Sequence, residues 1–327
     1  MEFGTTMGKR SKPAIFLAAI LAAPAPILAE GQTNTASLSA SSVSAHLHAA
    51  SSYPEAKLTA SQLCSEIARK LGSVRTHDCS QSQLVSSGGV SVAGKPILIK
   101  EYPPLEGRKP MGKVLLIGGI HGDEYSSVSI VFHWMRKLNN FHSGLFHWQV
   151  VPLLNPDGLL RRKPQRMNEN DVDLNRNFPT PNWHSESMKY WVNKTKRNPR
   201  RFPGVDPLSE PESRWLVEKI KEFKPDAIVA VHAPYGILDF DGPRKHAPKS
   251  LGHLHLNLLG TYPGSLGNYA GIQNDIPVVT IELPYAGIMP KPGEISAIWT
   301  DMVVWLKKNM RNRNQLDNRM VQADGPS

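Results

Sequence analysis

A chain of 327 residues, 40% of them hydrophobic, is long enough for one large domain with appendages and apolar enough to bury a core. Its formal net charge of +10 favours anionic partners, but its Lys and Arg are scattered except in residues 194–201 and 307–319. Charge alone therefore does not choose among nucleic acid, anionic lipid and acidic wall polymer. One N-terminal apolar run is too short to span a bilayer as a stable helix, and no other stretch is long and apolar enough, so no membrane helix is expected in the mature chain.

Lys9, Arg10 and Lys12 precede the apolar run 14–23, followed by Pro24, Pro26 and a small-residue stop at Ala29. That order is the pattern of a secretory signal peptide over residues 1–29, with Met7 the better start, so a periplasmic or secreted protein is expected. Residues 30–57 are rich in Ser, Ala and Thr without a period and read as a flexible leader. A small N-terminal segment, 58–83, follows. Thr59 and Gln62 can cap a helix carrying Leu63, Ile67, Ala68 and Leu71 and ended by Gly72. Cys64 lies on that helix and Cys79 in the next loop. An even cysteine count in an oxidising compartment predicts a disulfide between them, the alternative being two small buried residues.

From residue 84 to 312 the pattern is that of one catalytic domain. Residues 90–102 alternate behind Gly94-Lys95-Pro96, a hairpin signal. Val114 to Ile117 then form a short apolar strand broken by Gly118 and Gly119, and His121-Gly122-Asp123-Glu124 follow at once. An imidazole and a carboxylate at i and i+3 in a turn can converge on one cation, and nitrogen and oxygen ligands suit zinc. Taken alone, the motif is more often a surface turn. Val128, Ile130, Val131, Trp134, Met135 and Leu138 recur at helical spacing, and 148–154 is another apolar strand. Strand, helix, strand predicts a largely parallel sheet.

The second strand empties into the turn Asn155-Pro156-Asp157-Gly158 and then the long polar loop 166–179. Loops in that place bind ligands in open α/β sheets. Arg166 and Arg176 in it are either solvated charges or guanidinium forks for a carboxylate, with Asn175 a neutral donor beside them. Residues 183–204 are basic and aromatic without a period. Ser209-Glu210-Pro211-Glu212 predicts a capping box that opens a helix through Trp215, Leu216 and Ile220. Residues 226–232 form a buried strand delivering His232 at its end, where a third metal ligand would stand. His246, His253 and His255 lack matching acidic ligands, and a second metal site there is not favoured. Tyr262 to Gly267 is a loop. The apolar run 276–281 ends in Glu282, whose burial would raise its pKa as a general base requires. A helix over 294–308 closes the domain, and residues 313–327 read as a basic, disordered tail.

His121-x-x-Glu124, Arg166, Asn175-Arg176, His232 and Glu282, in that order, resemble the zinc carboxypeptidase family over residues 90–306. The strings Asn155-Pro-Asp-Gly158, Val172-Asp-Leu-Asn-Arg-Asn-Phe-Pro179 and Ser209-Glu-Pro-Glu212 are similar to its bacterial branch. Phe240-Asp-Gly-Pro243 and Pro263-Gly-Ser-Leu-Gly267 are similar to murein peptide amidases, which cut the γ-D-glutamyl to diaminopimelate bond of peptidoglycan stem peptides. The resemblance implies an α/β fold, with a mostly parallel mixed central sheet and helices on both faces. It implies one Zn²⁺ held by His121, Glu124 and His232, with Glu282 as general base and Arg166 as oxyanion stabiliser. Asn175 and Arg176 would hold the substrate's terminal carboxylate, and Tyr262 is the candidate for the mobile tyrosine that the family's carboxypeptidases use on the substrate. Partners would be peptidoglycan-derived peptides and not nucleic acid. A general metallocarboxypeptidase acting on exported peptides is the alternative. A non-catalytic binding module would be expected to lack Glu282 or a ligand, and none is missing.

Overall fold

The structure, a computed structural model, describes residues 55–323, with side chains as far as Met310. The signal peptide expected over 1–29, and most of the leader expected over 30–57, lie outside these residues. Helices α1 (Ala60–Lys70) and α2 (Thr76–Gln81) lead into strands β1 (Val85–Val90) and β2 (Pro96–Tyr102). There follow β3 (Lys113–Ile117), α3 (Tyr125–Phe141), β4 (His147–Val151), α4 (Pro156–Leu160), α5 (Trp183–Asn193) and α6 (Pro211–Phe223). The last part holds β5 (Ala227–His232), β6 (Ile237–Asp241), β7 (Ser250–Leu251), β8 (Leu254–His255), a π-helical segment (Gly267–Gln273), β9 (Val278–Glu282) and α7 (Pro292–Ala323).

Seven strands form one sheet in the order β1-β2-β4-β3-β5-β9-β6. The central four, β4, β3, β5 and β9, run parallel, while β1, β2 and β6 join antiparallel at the two sides. Central strands of such a sheet are covered on both faces, which is why they read as unbroken apolar runs. Alternation sorts their side chains. Val114, Leu116, Val229, Val231, Val279 and Ile281 pack with α1, α3 and α7, whereas Leu115, Ile117, Ile228, Ala230 and Val278 pack with α6 and the π-helical segment. The α/β architecture with helices on both faces is therefore the one expected.

Thr59 caps α1 as its sequence implies: its hydroxyl accepts from Gln62 N, and the Gln62 carboxamide accepts from Thr59 N at 2.8 Å. Cys64 and Cys79 are joined by a disulfide with Cα atoms 6.0 Å apart, and Cys79 sits on the short helix α2 rather than in a loop. Leu63, Ile67, Leu71 and Val74 share a core with Leu98, Val128 and Phe132, so segment 58–83 is built into the domain instead of standing beside it.

Two other expectations are corrected. The disordered tail expected over 313–327 is helical as far as Ala323, because nothing between Glu294 and Ala323 breaks a helix and the first Gly-Pro pair is Gly325-Pro326. The capping box at Ser209 does not form. Helix α6 starts after Glu210 with no side-chain cap, because the Glu212 carboxylate is drawn inward to accept from Val92 N and Asn168 Nδ2, each at 3.2 Å. Asp157, also buried, takes the next turn residues, accepting from Ala93 N at 2.9 Å and pairing with Lys95 at 2.8 Å. Two buried acids thus pin the β1–β2 turn to α4 and α6.

Burial is the main cause that pushes the Glu212 carboxyl from its ordinary 4.5 up to about 8, with the Asp157 charge adding to it. Between those values the folded chain holds a proton that the unfolded chain has released, so stability falls as pH rises through that window. The expected outcome is a wild-type melting temperature that declines more steeply from pH 5 to pH 8 than that of Glu212→Gln, which has no proton to lose. Parallel profiles in a thermal-unfolding series would show that Glu212 ionises normally.

Candidate active site

The site forms where the parallel strands end. At the end of β3 the chain turns through Gly118 and Gly119, and at Gly122 a Cβ would fall onto the backbone of Gly158, so this turn packs directly on α4. Asn155, completely buried, holds the neighbouring strands of chain together. Its Nδ2 donates to Ile120 O at 3.4 Å and to Arg166 O at 3.1 Å, while its Oδ1 accepts from Gly158 N at 2.8 Å. Glu124 occupies the position just before α3, where the positive end of the helix dipole favours a carboxylate. His232 and Glu282 end the adjacent parallel strands β5 and β9 and stand opposite one another in register.

These placements bring together His121, Glu124 and His232, all buried, with one ligand atom from each within 4.8 Å of the others. His121 Nδ1 lies 2.7 Å from Glu124 Oε1, and His232 Nδ1 lies 3.0 Å from Glu124 Oε2. Two imidazole nitrogens and one carboxylate oxygen are a donor set suited to zinc, and three protein ligands are the number a catalytic zinc site uses. Among the described residues it is the one group of His, Cys, Asp or Glu so arranged. His246 Nδ1 lies 2.9 Å from Asn309 Oδ1.

Asp173 carried no role in the sequence reading, yet it organises this centre. It is completely buried, with Oδ1 3.2 Å from His121 Nε2 and Oδ2 accepting from Arg166 Nε at 2.8 Å. A carboxylate on the far nitrogen of a metal-binding imidazole fixes its tautomer and orientation. The detectable signal was its place in Val172-Asp-Leu-Asn-Arg-Asn177, two residues before the Asn175-Arg176 pair. Burial opposes ionisation of Asp173, but the Arg166 charge and the His121 hydrogen bond hold its carboxyl well below the usual range. Burial likewise opposes ionisation of Glu124, and is outweighed by His121 and His232.

Arg166 Nη1 reaches to 3.1 Å from His121 Nδ1 and 3.5 Å from Glu124 Oε1, so its guanidinium borders the triad. Arg176 is buried. Its Nη1 donates to Asn175 O at 2.6 Å, its Nε has no partner among the described residues, and its guanidinium carbon stands 4.4 Å from the centre of the Tyr262 ring. Burial, then repulsion from Arg166 and Arg201 against the attraction of Asp173, brings the Arg176 pKa down to about 10. Asn175 Oδ1 accepts from Leu266 N at 2.8 Å, which directs the rest of that side chain. The Tyr262 ring thus forms a wall beneath Arg176, and its hydroxyl donates to Leu259 O at 3.4 Å. Glu282 is pushed up to about 7, chiefly by burial with the His232 charge pulling the other way, and its Oε2 has no hydrogen-bond partner among the described residues.

All of these except Asp173 line one cavity of about 350 Å³, together with Asp123, Arg200, Arg201, Asp239 and Asp241. Arg200 and Arg201 come from the basic stretch to which the sequence assigned no chemistry. Arg200 pairs with Asp123 at 2.7 Å, and Arg201 lies 4.0 Å from Asp173. A buried triad, a perturbed carboxyl and several guanidiniums around one cavity can polarise a carbonyl, move a proton and grip a carboxylate.

Residues 74–238 match the zinc carboxypeptidase family, peptidase M14. The match takes in His121, Glu124, Arg166, Asn175, Arg176 and His232, while Glu282 lies beyond it. A murein peptide amidase A of Vibrio campbellii is 31% identical over 206 residues, 61% of this chain and 79% of that protein. One of Escherichia coli K12 is 34% identical over 153 residues, 46% of this chain and 60% of that protein. The solved carboxypeptidase A of Helicoverpa armigera superposes with a TM-score of 0.56 at 17% identity, over 76% of this chain and 71% of its own, a likeness of fold. The chain belongs to the zinc carboxypeptidase family and is a zinc-dependent hydrolase.

Proposed function

We propose that this chain is an exported peptidase of the bacterial cell wall, cutting the amide bond between γ-D-glutamate and diaminopimelate in peptidoglycan stem peptides. The observation that carries it is the single cavity that joins the His121, Glu124 and His232 triad to Glu282 and to the guanidiniums of Arg166 and Arg176. Support for the substrate comes from relatives named murein peptide amidase A, and for export from the N-terminal pattern of residues 1–29. A general metallocarboxypeptidase is the second reading, because the same guanidiniums would serve any peptide's terminal carboxylate.

In this reading His121, Glu124 and His232 hold the zinc. When bound, the metal supplies acidity to a water and polarisation to the scissile carbonyl. Glu282, poised near neutrality, takes the water's proton and returns it to the leaving amine. Arg166 faces the oxygen on which negative charge develops, and Asp173 keeps that guanidinium in place. Asn175 and Arg176 hold the terminal carboxylate, with Tyr262 supporting the Arg176 plane.

The metal assignment predicts about one zinc per purified chain, and loss of most zinc together with activity in His232→Ala, which removes one of three ligands. Elemental analysis checks it, and full occupancy in the variant would refute the ligand set. Glu282→Gln is expected to keep its zinc and lose on the order of 10²- to 10⁴-fold in turnover, since an amide cannot accept the proton. Turnover near that of the wild type would remove Glu282 from the chemistry.

The carboxylate clamp predicts that L-Ala-γ-D-Glu-diaminopimelate is a better substrate than the same stem extended by D-Ala. The extension turns the charged terminus into an amide and leaves a buried guanidinium unpaired, a cost of several kcal/mol, or on the order of a hundredfold or more in rate. Arg176→Ala should cripple tripeptide cleavage and spare zinc content. Mass spectrometry of the products decides: equal cleavage of both stems at the γ-D-Glu bond overturns the clamp, and cleavage of linear α-peptides alone moves the function to the second reading.

A further inference from the structure

One wall of the cavity carries cations that no step of the proposed reaction uses. Helix α5, the segment after it and the 3-10 turn Pro199–Arg201 supply that wall, through Tyr190, Thr195, Arg200 and Arg201. The turn is fastened on two sides. Asn198 accepts from Arg200 N through Oδ1 at 3.0 Å and from Trp191 Nε1 through its carbonyl at 2.8 Å, while Phe202 O accepts from Asp173 N at 2.8 Å. Both arginines are therefore held at fixed points relative to α5 and to the carboxylate that positions Arg166.

Arg201 stands beside the reacting end of the site. Its Nη1 lies 4.0 Å from Asp173 Oδ2, the same oxygen that accepts from Arg166 Nε at 2.8 Å, so the two guanidiniums are neighbours. Beyond that contact the Arg201 guanidinium has no hydrogen-bond partner among the described residues, because both Asp173 oxygens are already engaged, Oδ1 by His121 and Oδ2 by Arg166. Arg200 Nη1 pairs at 2.7 Å with Oδ2 of Asp123, which lies between His121 and Glu124 in the turn. A guanidinium carries five N–H donors, so most of each fork stays available.

Exposure orders these cations along the cavity. Arg176 is 6% exposed, the Arg201 side chain 29% and the Arg200 side chain 52%, so the series runs from the interior to the mouth. A peptide whose terminal carboxylate is held at Arg176 must leave through the mouth by its acyl portion, past Arg201 and Arg200. Arg166 and Arg201 both repel the Arg176 charge, and one terminal carboxylate offsets only one of these cations. A second anion, on the acyl portion, would meet the remaining excess.

We propose that Arg200 and Arg201 form an anion subsite that selects substrates with a free carboxylate on the residue preceding the scissile bond. This rests on the orientation proposed above, with the terminal carboxylate at Asn175 and Arg176 and the scissile carbonyl oxygen at Arg166. A glutamate joined through its γ-carboxyl meets the requirement by its bonding alone. The linkage leaves the α-carboxylate free, four carbon–carbon bonds, or roughly 5 Å, from the carbonyl carbon that is attacked. Amidation of that group to isoglutamine keeps the shape and removes the charge. A glutamate joined through its α-carboxyl carries its side-chain carboxylate at the same number of bonds, so the subsite reads the position of a charge, and a neutral residue there leaves both guanidiniums without a partner.

The test compares pairs of peptides that differ by one charge. Zinc-loaded enzyme is given L-Ala-γ-D-Glu-diaminopimelate and its D-isoglutamine counterpart, and separately the α-linked Ala-Glu-Lys and Ala-Gln-Lys. Calorimetric titration of zinc-loaded Glu282→Gln with each intact peptide reports binding without turnover. The expected result is a preference for the acidic member of the γ-linked pair of about tenfold, in kcat/KM and in affinity, as a charge-assisted contact at a half-exposed site provides. Arg201→Gln and Arg200→Gln should each shrink that ratio, Arg201→Gln the more because that side chain is the less exposed, and Arg201→Lys should retain part of it. A partly unfolded preparation does not alter the ratio, because both peptides meet the same protein. A wild-type ratio near one for whichever pair is cleaved, or a ratio unchanged in both Arg→Gln variants, overturns the subsite. Cleavage of the γ-linked pair without preference removes the subsite and keeps the cell-wall function. Cleavage of the α-linked pair alone, with a preference for Ala-Glu-Lys that Arg201→Gln abolishes, keeps the subsite and removes that function.

Discussion

One buried carboxylate sets the electrostatics of this site. Asp173, completely enclosed, faces His121 on one side and Arg166 on the other, with Arg201 at 4.0 Å and the Arg176 charge also acting on it. Three guanidiniums around one carboxylate leave an excess of positive charge in a poorly solvated space. That excess is what a substrate carboxylate would neutralise, and after burial it is the cause that lowers the Arg176 pKa. Removing Asp173 would do more than loosen one imidazole. It would leave Arg166 without its principal partner beside two histidines that a metal needs neutral.

The sheet supplies the rigid frame for this charge arrangement. Because β3, β5 and β9 are parallel neighbours, their carboxyl ends fall on one edge, and the loops leaving that edge can converge. His232 and Glu282 owe their proximity to a register of backbone hydrogen bonds formed by strands buried on both faces. A slip by one residue would turn both side chains to the α3 and α7 side of the sheet. The positions of the histidine and the proposed base are therefore as secure as the core itself.

How much of this was legible in the sequence depended on periodicity. Apolar runs ending in a polar residue announced β3, β5 and β9 together with His121, His232 and Glu282, since local pattern and tertiary role coincide there. Thr59 and Gln62 likewise marked the start of α1 correctly. Ser209 and Glu212 carried the same capping signal and misled, because a long-range pull from Val92 and Asn168 outweighed the local bond. Asp173 was invisible for a related reason: a buried acid inside a polar loop looks like a solvated one until the guanidinium meeting it is located. Strand β6 was missed although Ile237-Leu-Asp-Phe-Asp241 alternates, because five residues between Pro234-Tyr-Gly236 and Gly242-Pro243 are too few to stand out.

Strand β6 is also the last strand of the sheet, running antiparallel to β9, with a single isolated bridge from Leu238 to Leu256 on its outer side. The strands that lead to His121 and that end in His232 and Glu282 lie inside the sheet, where each exchange of a side chain disturbs two neighbours. One wall of the cavity, with Asp239 and Asp241, therefore belongs to a border strand, while His232 and Glu282 end inner ones. Substitutions at alternate positions of that border strand would reshape the cavity wall at the cost of disturbing one neighbouring strand instead of two.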